Sequence, residues 1–213
     1  MTHMMASLVW ERLRLEGARY VTGKRLARVC REARREFGGC RKYLLEHGYI
    51  HRVFRGIYYL SDRDELESGL PAGSVQRIVG DALAFKGVRR WYFGLETALK
   101  LNGMTHEYFT VDFLVTDSLR TTRPVGVLGH RLAILRRPPK RFREGIVRAG
   151  GIRFSDREKT VLDIAHQGFI WGRPADHAVG VLDEYGARLD RKKMRAYLAR
   201  YPPKFRAFMG RYI

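Results

Sequence analysis

Apolar residues recur at helical spacing along most of the chain and change to strand-like runs in a few short stretches, and this alternation lays out the elements. Leu8, Val9, Trp10, Leu13 and Leu15 predict a first helix over about residues 4–16, which Gly17 ends. Tyr20 and Val21 predict a short strand. Thr22 is a natural N-cap, and Leu26, Val29, Cys30 and Ala33 then fall on one face of a second helix. Phe37-Gly38-Gly39 is expected to break that helix. Cys40, Tyr43, Leu44 and His47 mark a third, with Gly48 as its left-handed stop and Arg41, Lys42 and Glu46 toward solvent. From Ile50 to Leu60 the residues are β-formers, with Arg55-Gly56 as the turn of a hairpin.

Residues 61–73 change character. Asp62, Asp64, Glu65 and Glu67, with Gly69, Pro71 and Gly73, predict a hydrated linker, and a domain boundary is expected near residue 70. Val75, Ile78, Val79, Ala82 and Phe85 predict a helix, Trp91–Phe93 a short strand, and Glu96–Asn102 a short helix. The clearest later strands are Tyr108–Thr116 and Arg131–Arg136, with weaker ones at Val125–Leu128, Ile146–Ala149 and Gly151–Phe154. Ser155 and Glu158 are spaced as a capping box for a helix burying Val161, Leu162, Ala165 and Phe169. Pro174 and Asp190 open two more helices, and Pro202-Pro203 precedes a short amphipathic tail, Lys204–Met209, read either as a partner-docking element or as a closure of the core. The fold class expected is α+β: an N-terminal helix-turn-helix plus wing in residues 1–70, then a mixed α+β domain in residues 71–213 with a helical C-terminus.

Charge changes the picture. The 213 residues carry 41 Lys and Arg against 22 Asp and Glu, formally +19, which points to a polyanionic partner. Residues 1–60 hold 13 of the basic residues against 5 acids, so positive charge is densest there. No apolar run reaches the ~20 residues of a membrane span, and the first residues lack a signal-peptide pattern. A cytoplasmic chain without a membrane partner is the expectation. Cys30 and Cys40 are too few for a disulfide framework and are expected as reduced core residues. With His47 and His51 they invite a zinc reading, but no tight CxxC is present.

These features make double-stranded DNA the expected partner, with the third helix in a major groove and the hairpin on backbone or minor groove. The candidate DNA-binding residues are Arg41 and Lys42 in the first turn of that helix, Arg34 and Arg35 on its approach, and Arg52 and Arg55 on the wing. A homodimer or paired monomers on an operator with repeated half-sites is the expected arrangement. Two alternatives stand beside it: a winged helix used only for protein contact, and a metal-dependent nuclease. For the second, Asp112 supplies a first acid, but Arg131–Leu135 supplies no partner. Asp163 and His166 are expected as a surface i,i+3 pair, the aromatic residues at 91–93 and 108–113 as core, and Arg136–Arg141 as a basic loop. No GxxxxGK[ST], GxSxG or HExxH motif is present. Neither catalysis nor any metal or cofactor is expected.

The segment Gly48-Tyr49-Ile50-His51-Arg52-Val53-Phe54-Arg55-Gly56-Ile57-Tyr58 resembles the wing of AbiEi-type antitoxin regulators of abortive-infection, type IV toxin-antitoxin systems. Tyr92-Phe93-Gly94-Leu95-Glu96-Thr97-Ala98-Leu99-Lys100-Leu101-Asn102-Gly103 is similar to that family's strand-then-helix segment, and Ser155 to Asp163 to its late helix start. The resemblance implies a winged-helix domain that binds operator DNA and represses its own operon, then a domain that counters a nucleotidyltransferase toxin. Arg41, Lys42, Arg52 and Arg55 fall on the matching helix and wing; no antitoxic residue is assigned. The third helix departs from the family pattern by opening with Gly38-Gly39.

Overall fold

Helix α1 (Thr2–Leu15) turns Val9, Trp10 and Leu13 to one side, the i,i+3/i+4 spacing of a buried stripe. They meet Leu26, Val29 and Cys30 of α2 (Gly23–Glu32), Cys40 and Leu44 of α3 (Phe37–Glu46), and Ile50, Tyr58 and Leu60 of the strands that follow. A computed structural model describes residues 2–186 and 189–213 of the chain. Strand β1 (Tyr20–Thr22) lies antiparallel to β3 (Ile57–Leu60), which pairs on its other side with β2 (Ile50–Phe54); the sheet order is β1-β3-β2. Thr22 caps α2 by accepting from the Arg25 amide, as its position predicts, a contact worth about 1 kcal/mol.

Gly38 and Gly39 do not break a helix; they form the first turn of α3, because the Glu36 carboxylate accepts from both their amides at 2.5 Å. The break falls at residues 33–36, where Arg34 takes a left-handed φ of 54°. Nor is the acidic stretch a linker. Asp62 and Glu65 form a capping box that opens α4 (Arg63–Ser68). Glu65 is buried and accepts from the Tyr59 hydroxyl, the Ala72 amide (2.6 Å) and Arg19 (3.3 Å). Burial pushes its carboxyl up, but these donors hold it below its ordinary value. Helix α5 (Val75–Phe85) also belongs here: the Tyr20 hydroxyl donates to the Ile78 carbonyl at 3.1 Å, and the Tyr20 and Phe85 rings lie 5.9 Å apart. The chain divides into Met1–Arg89 with Gly126–Gly129, and Arg90–Val125 with His130–Ile213. The expected boundary near residue 70 therefore moves to residue 89.

The second sheet is ordered β6-β7-β5-β4-β9-β8, from strands Val125–Val127 (β6), His130–Arg136 (β7), Val111–Thr116 (β5), Trp91–Phe93 (β4), Ile152–Ser155 (β9) and Ile146–Ala149 (β8), and strands β4, β5, β7, β8 and β9 belong to the second unit. β4 runs antiparallel to β5 and parallel to β9, β5 and β7 are parallel, and β8 and β9 form an antiparallel hairpin. Helices α6 (Leu95–Leu101), α7 (Arg157–Ile170), α8 (Ala175–Tyr185), α9 (Arg191–Leu198) and α10 (Pro203–Met209) complete it, and the fold is mixed α+β. Among the described residues no helix is long and apolar enough to cross a membrane.

The cap of α7 is Asp156, which accepts from the Lys159 amide at 2.9 Å. Ser155, expected in that role, is held in register opposite Ile146, and Glu158 receives the Lys193 ammonium at 2.7 Å. Phe169 is partly exposed and Tyr108 fully so, against expectation, whereas Phe205 and Met209 of the tail join the core. Asp163 and His166 are not a surface pair either. Asp163 is 4 % exposed and accepts from Arg141, itself 2 % exposed, and from the Tyr92 and Tyr201 hydroxyls at 2.8 Å each. Lys159 lies 3.9 Å away. Burial alone raises the Asp163 carboxyl; Lys159, Arg141 and the two hydroxyls outweigh it and drive it far below the ordinary carboxylate value. Burial, with Arg141 and Arg137 nearby, pushes His166 down to about 3, so it is neutral near pH 7. The basic loop thus ends by driving Arg141 into the core on a 3-10 turn, Pro139–Phe142.

Candidate nucleic-acid interface

The candidate cations of α3 and of the hairpin are held at solvent by apolar neighbours that turn inward. On α3, burial of Cys40 and Leu44 leaves Arg41 and Lys42 exposed. Because α3 starts at Phe37, both lie in its second turn and not its first; Arg41 rests 5.3 Å over the Phe37 ring. Lys42 reaches Glu46 at 3.9 Å, an exposed i,i+4 pair of little stabilising weight. On the hairpin, Val53 and Phe54 are buried while Arg52 and Arg55 are exposed, and Arg55-Gly56 is the two-residue turn predicted, with Gly56 at a φ of 74°. Arg34 is exposed and Arg35 half-buried in the α2–α3 turn. Among the described residues, none of Arg34, Arg35, Arg41, Arg52 and Arg55 is tied up in an ion pair.

Backbone contacts set which of these come together. The Gly23 amide donates to the Gly56 carbonyl at 2.8 Å, so the Arg55-Gly56 turn sits at the N-terminal end of α2. Arg34 and Arg35 follow the C-terminal end of the same ten-residue helix, about 15 Å away along its axis. The six residues thus form a spread, not a knot. Lys24, Arg28 and Arg31 fill the space between its ends: with Thr22 and Arg25 they line a shallow hollow of about 450 Å³ on the outer face of α2. Their i, i+4, i+7 spacing was the available sequence signal. Glu36 is the counter-charge, and the Gly39 and Gly38 amides lower its carboxyl below the ordinary value, placing a fixed negative charge at the head of α3.

The remaining chemistry is sparse. Cys30 and Cys40 are both free and buried; the Cys40 contact and burial together push the Cys30 thiol up. Asp112 pairs across the parallel ladder with Leu132, accepts from the Thr97 hydroxyl at 3.2 Å and stands 3.6 Å from His130. Among the described residues no group of three His, Cys, Asp or Glu side chains is placed to hold a metal ion.

No family model matches the chain, and no curated protein matches it. Among solved structures it is similar to the crystal structure of the RV2827C protein from Mycobacterium tuberculosis, at 14% identity and a TM-score of 0.56, over 96% of this chain and 75% of that one. At that identity the likeness concerns the fold, and the shared architecture is α+β.

Proposed function

We propose that this chain is a cytoplasmic DNA-binding transcriptional regulator whose first unit is a winged helix-turn-helix. In this reading α2 and α3 are the helix-turn-helix, the β2–β3 hairpin is the wing, and the mechanism is occupancy of an operator by paired protomers. The observation that carries it is the order helix, strand, helix, helix, hairpin, with exposed cations on α2, α3 and the hairpin turn, of which Lys24, Arg31, Arg34, Arg41, Arg52 and Arg55 are in no ion pair among the described residues while Arg28 and Lys42 make only exposed i,i+4 pairs. The residues proposed to contact DNA are Arg34, Arg35, Arg41, Lys42, Arg52 and Arg55, joined by Lys24, Arg28 and Arg31. Following the AbiEi resemblance, the operator is that of the chain's own operon, and the second unit counters a nucleotidyltransferase toxin.

Duplex binding measured across a salt series tests the DNA part. Phosphate contacts by these nine cations give a log–log slope of about −8. Arg41→Ala with Lys42→Ala weakens binding and reduces the slope by about 2 while the circular dichroism spectrum is unchanged. A flat salt response, or a double variant with the wild-type slope, rejects it. The antitoxin part is tested by co-expression with the adjacent reading frame: growth must fail with that frame alone and recover with this chain.

A further inference from the structure

The second unit contains a cleft of about 1070 Å³ between the ends of β5 and β7 and the last turn of α7. Its floor is Val111, Phe113, Ala133 and Leu135, alternate residues of the two parallel strands. Parallel strands are ordinarily covered on both faces, yet all four floor residues remain partly exposed. The walls are the segments that leave the strands' carboxyl ends, residues 117–124 and 136–139, where sheets of parallel strands place their ligands. Arg136 Nε donates to the Asp117 carbonyl at 3.1 Å and ties the two walls together.

The cleft is cationic and has an aromatic edge. Arg120, Arg123, Arg136 and Arg137 line it, while its acid, Asp117, is paired with Arg90 at 3.0 Å. Among the described residues Arg120 and Arg123 are in no ion pair. Trp171, 51 % exposed, stands at the end of α7 beside Ile170. At the inner end Arg137 donates to Gln167, four residues beyond Asp163 on α7. Behind it positive charge outnumbers its acid: Arg141 and Lys159 share the Asp163 carboxylate, whose field also reaches Arg137, while the Arg137 hydrogen bond goes to the neutral Gln167. Arg141 Nε is buried with no hydrogen-bond partner among the described residues. An anion at the inner end would offset that surplus, and a planar ring would cover the apolar floor toward Trp171.

We infer that this cleft binds a nucleoside phosphate, the phosphate toward Arg137 with Arg120, Arg123 and Arg136 around it, and the base on the Phe113 and Trp171 side. A free nucleotide and a single-stranded nucleic-acid segment present the same chemistry. A duplex does not, since its bases are stacked and paired.

The full chain is titrated with ATP, inorganic phosphate, decathymidylate and a duplex of the same length, followed by calorimetry and by quenching of tryptophan fluorescence. Trp10 and Trp91 are buried, so Trp171 dominates the quenching signal. The expected result is binding of ATP, decathymidylate or both, tighter than phosphate by about tenfold and weakened about tenfold or more in Arg120→Gln with Arg123→Gln, whose exposed side chains leave the fold intact. Trp171→Ala abolishes the quenching and weakens binding. ATP binding alone identifies a free nucleotide; decathymidylate binding alone, or displaced by ATP, identifies a strand. Arg41→Ala with Lys42→Ala leaves all of this unchanged, which separates it from duplex binding by the first unit. Absence of binding by both ATP and decathymidylate, equal affinity for phosphate, quenching of Trp171 by the duplex as strong as by ATP and decathymidylate in the Arg41→Ala, Lys42→Ala background, or wild-type affinity in the Arg120/Arg123 variant overturns the inference.

Discussion

Replacing Asp163 with asparagine removes the negative charge that faces Arg141 and Lys159 while preserving the side chain's shape. The partners cannot turn to water: the side chains of Arg141 and Lys159 are 1% and 4% exposed. Removing one member of a buried charge pair costs roughly 3–5 kcal/mol, because the remaining charge stays desolvated. The unit concerned has about 120 residues, for which 1 kcal/mol moves Tm by roughly 3–5 °C, so Asp163→Asn lowers its melting temperature by roughly 10–20 °C. Urea denaturation read by near-ultraviolet circular dichroism gives the same difference as a shift of midpoint at constant slope. Arg141→Met in the same background restores part of the loss by removing the stranded guanidinium, and the double-mutant cycle gives a coupling of about 2 kcal/mol or more. If Asp163→Asn costs less than about 1 kcal/mol, or the cycle shows no coupling, the network does not hold the unit together as described.

Further outcomes follow from other residues. His166 is neutral and pushed down to about 3, below its unfolded value of about 6.5, so the unfolded chain takes up the extra proton and stability falls as pH drops from about 6.5 toward 3, at up to about 1.4 kcal/mol per pH unit; His166→Gln flattens that part of a stability–pH curve. Asp163 adds a loss at lower pH: its depressed carboxyl contributes in full above its unfolded value of about 3.9 and is lost only as pH falls through its folded value. Glu65→Ala strips the partner from Tyr59, Arg19 and the Ala72 amide and destabilises the first unit by about 2–4 kcal/mol in chemical denaturation; a change within about 0.5 kcal/mol contradicts its assigned role. Glu36→Ser keeps a cap for α3 but removes the acid at its head, and duplex affinity at low salt rises about two- to fivefold. Arg34→Gly relieves the left-handed backbone and raises the melting temperature, by about 1 kcal/mol of stability.

The first sixty residues were legible because their cues are local. Thr22 as cap, Arg55-Gly56 as turn and Gly48 as stop each act within four residues, and the Cys40/Leu44 stripe sets which side of α3 meets solvent. Glu36 misled because an ordinary glutamate is seldom counted as a helix cap, so Gly38-Gly39 read as a break. The acids at 62–67 misled for a different reason. Their composition is that of a linker, and only the Asp62-to-Glu65 spacing signals a capping box, while Tyr59 and Ala72 come into reach through the fold. The Asp163 network was beyond the sequence altogether, since its members come from residues 92, 141, 159, 163 and 201, and no short-range pattern distinguishes a buried i,i+3 pair from a surface one. The cleft was hidden in the same way: its arginines belong to two segments brought together by the parallel register of β5 and β7 and by hydrogen bonds that form only in the fold.

The hairpin of the first unit hardly outgrows its neighbour. Ile57 is the last position of β3 to be matched on both sides, by Thr22 and by Phe54, so only the Arg55-Gly56 turn extends past the sheet, and Gly23 anchors even that. Such a stub has no leverage: it cannot bend independently of the helices, and its span is that of a single arginine side chain. In the proposed DNA-binding reading, a longer contacted site comes from additional copies of the chain arrayed side by side, and binding is then expected to depend steeply on protein concentration.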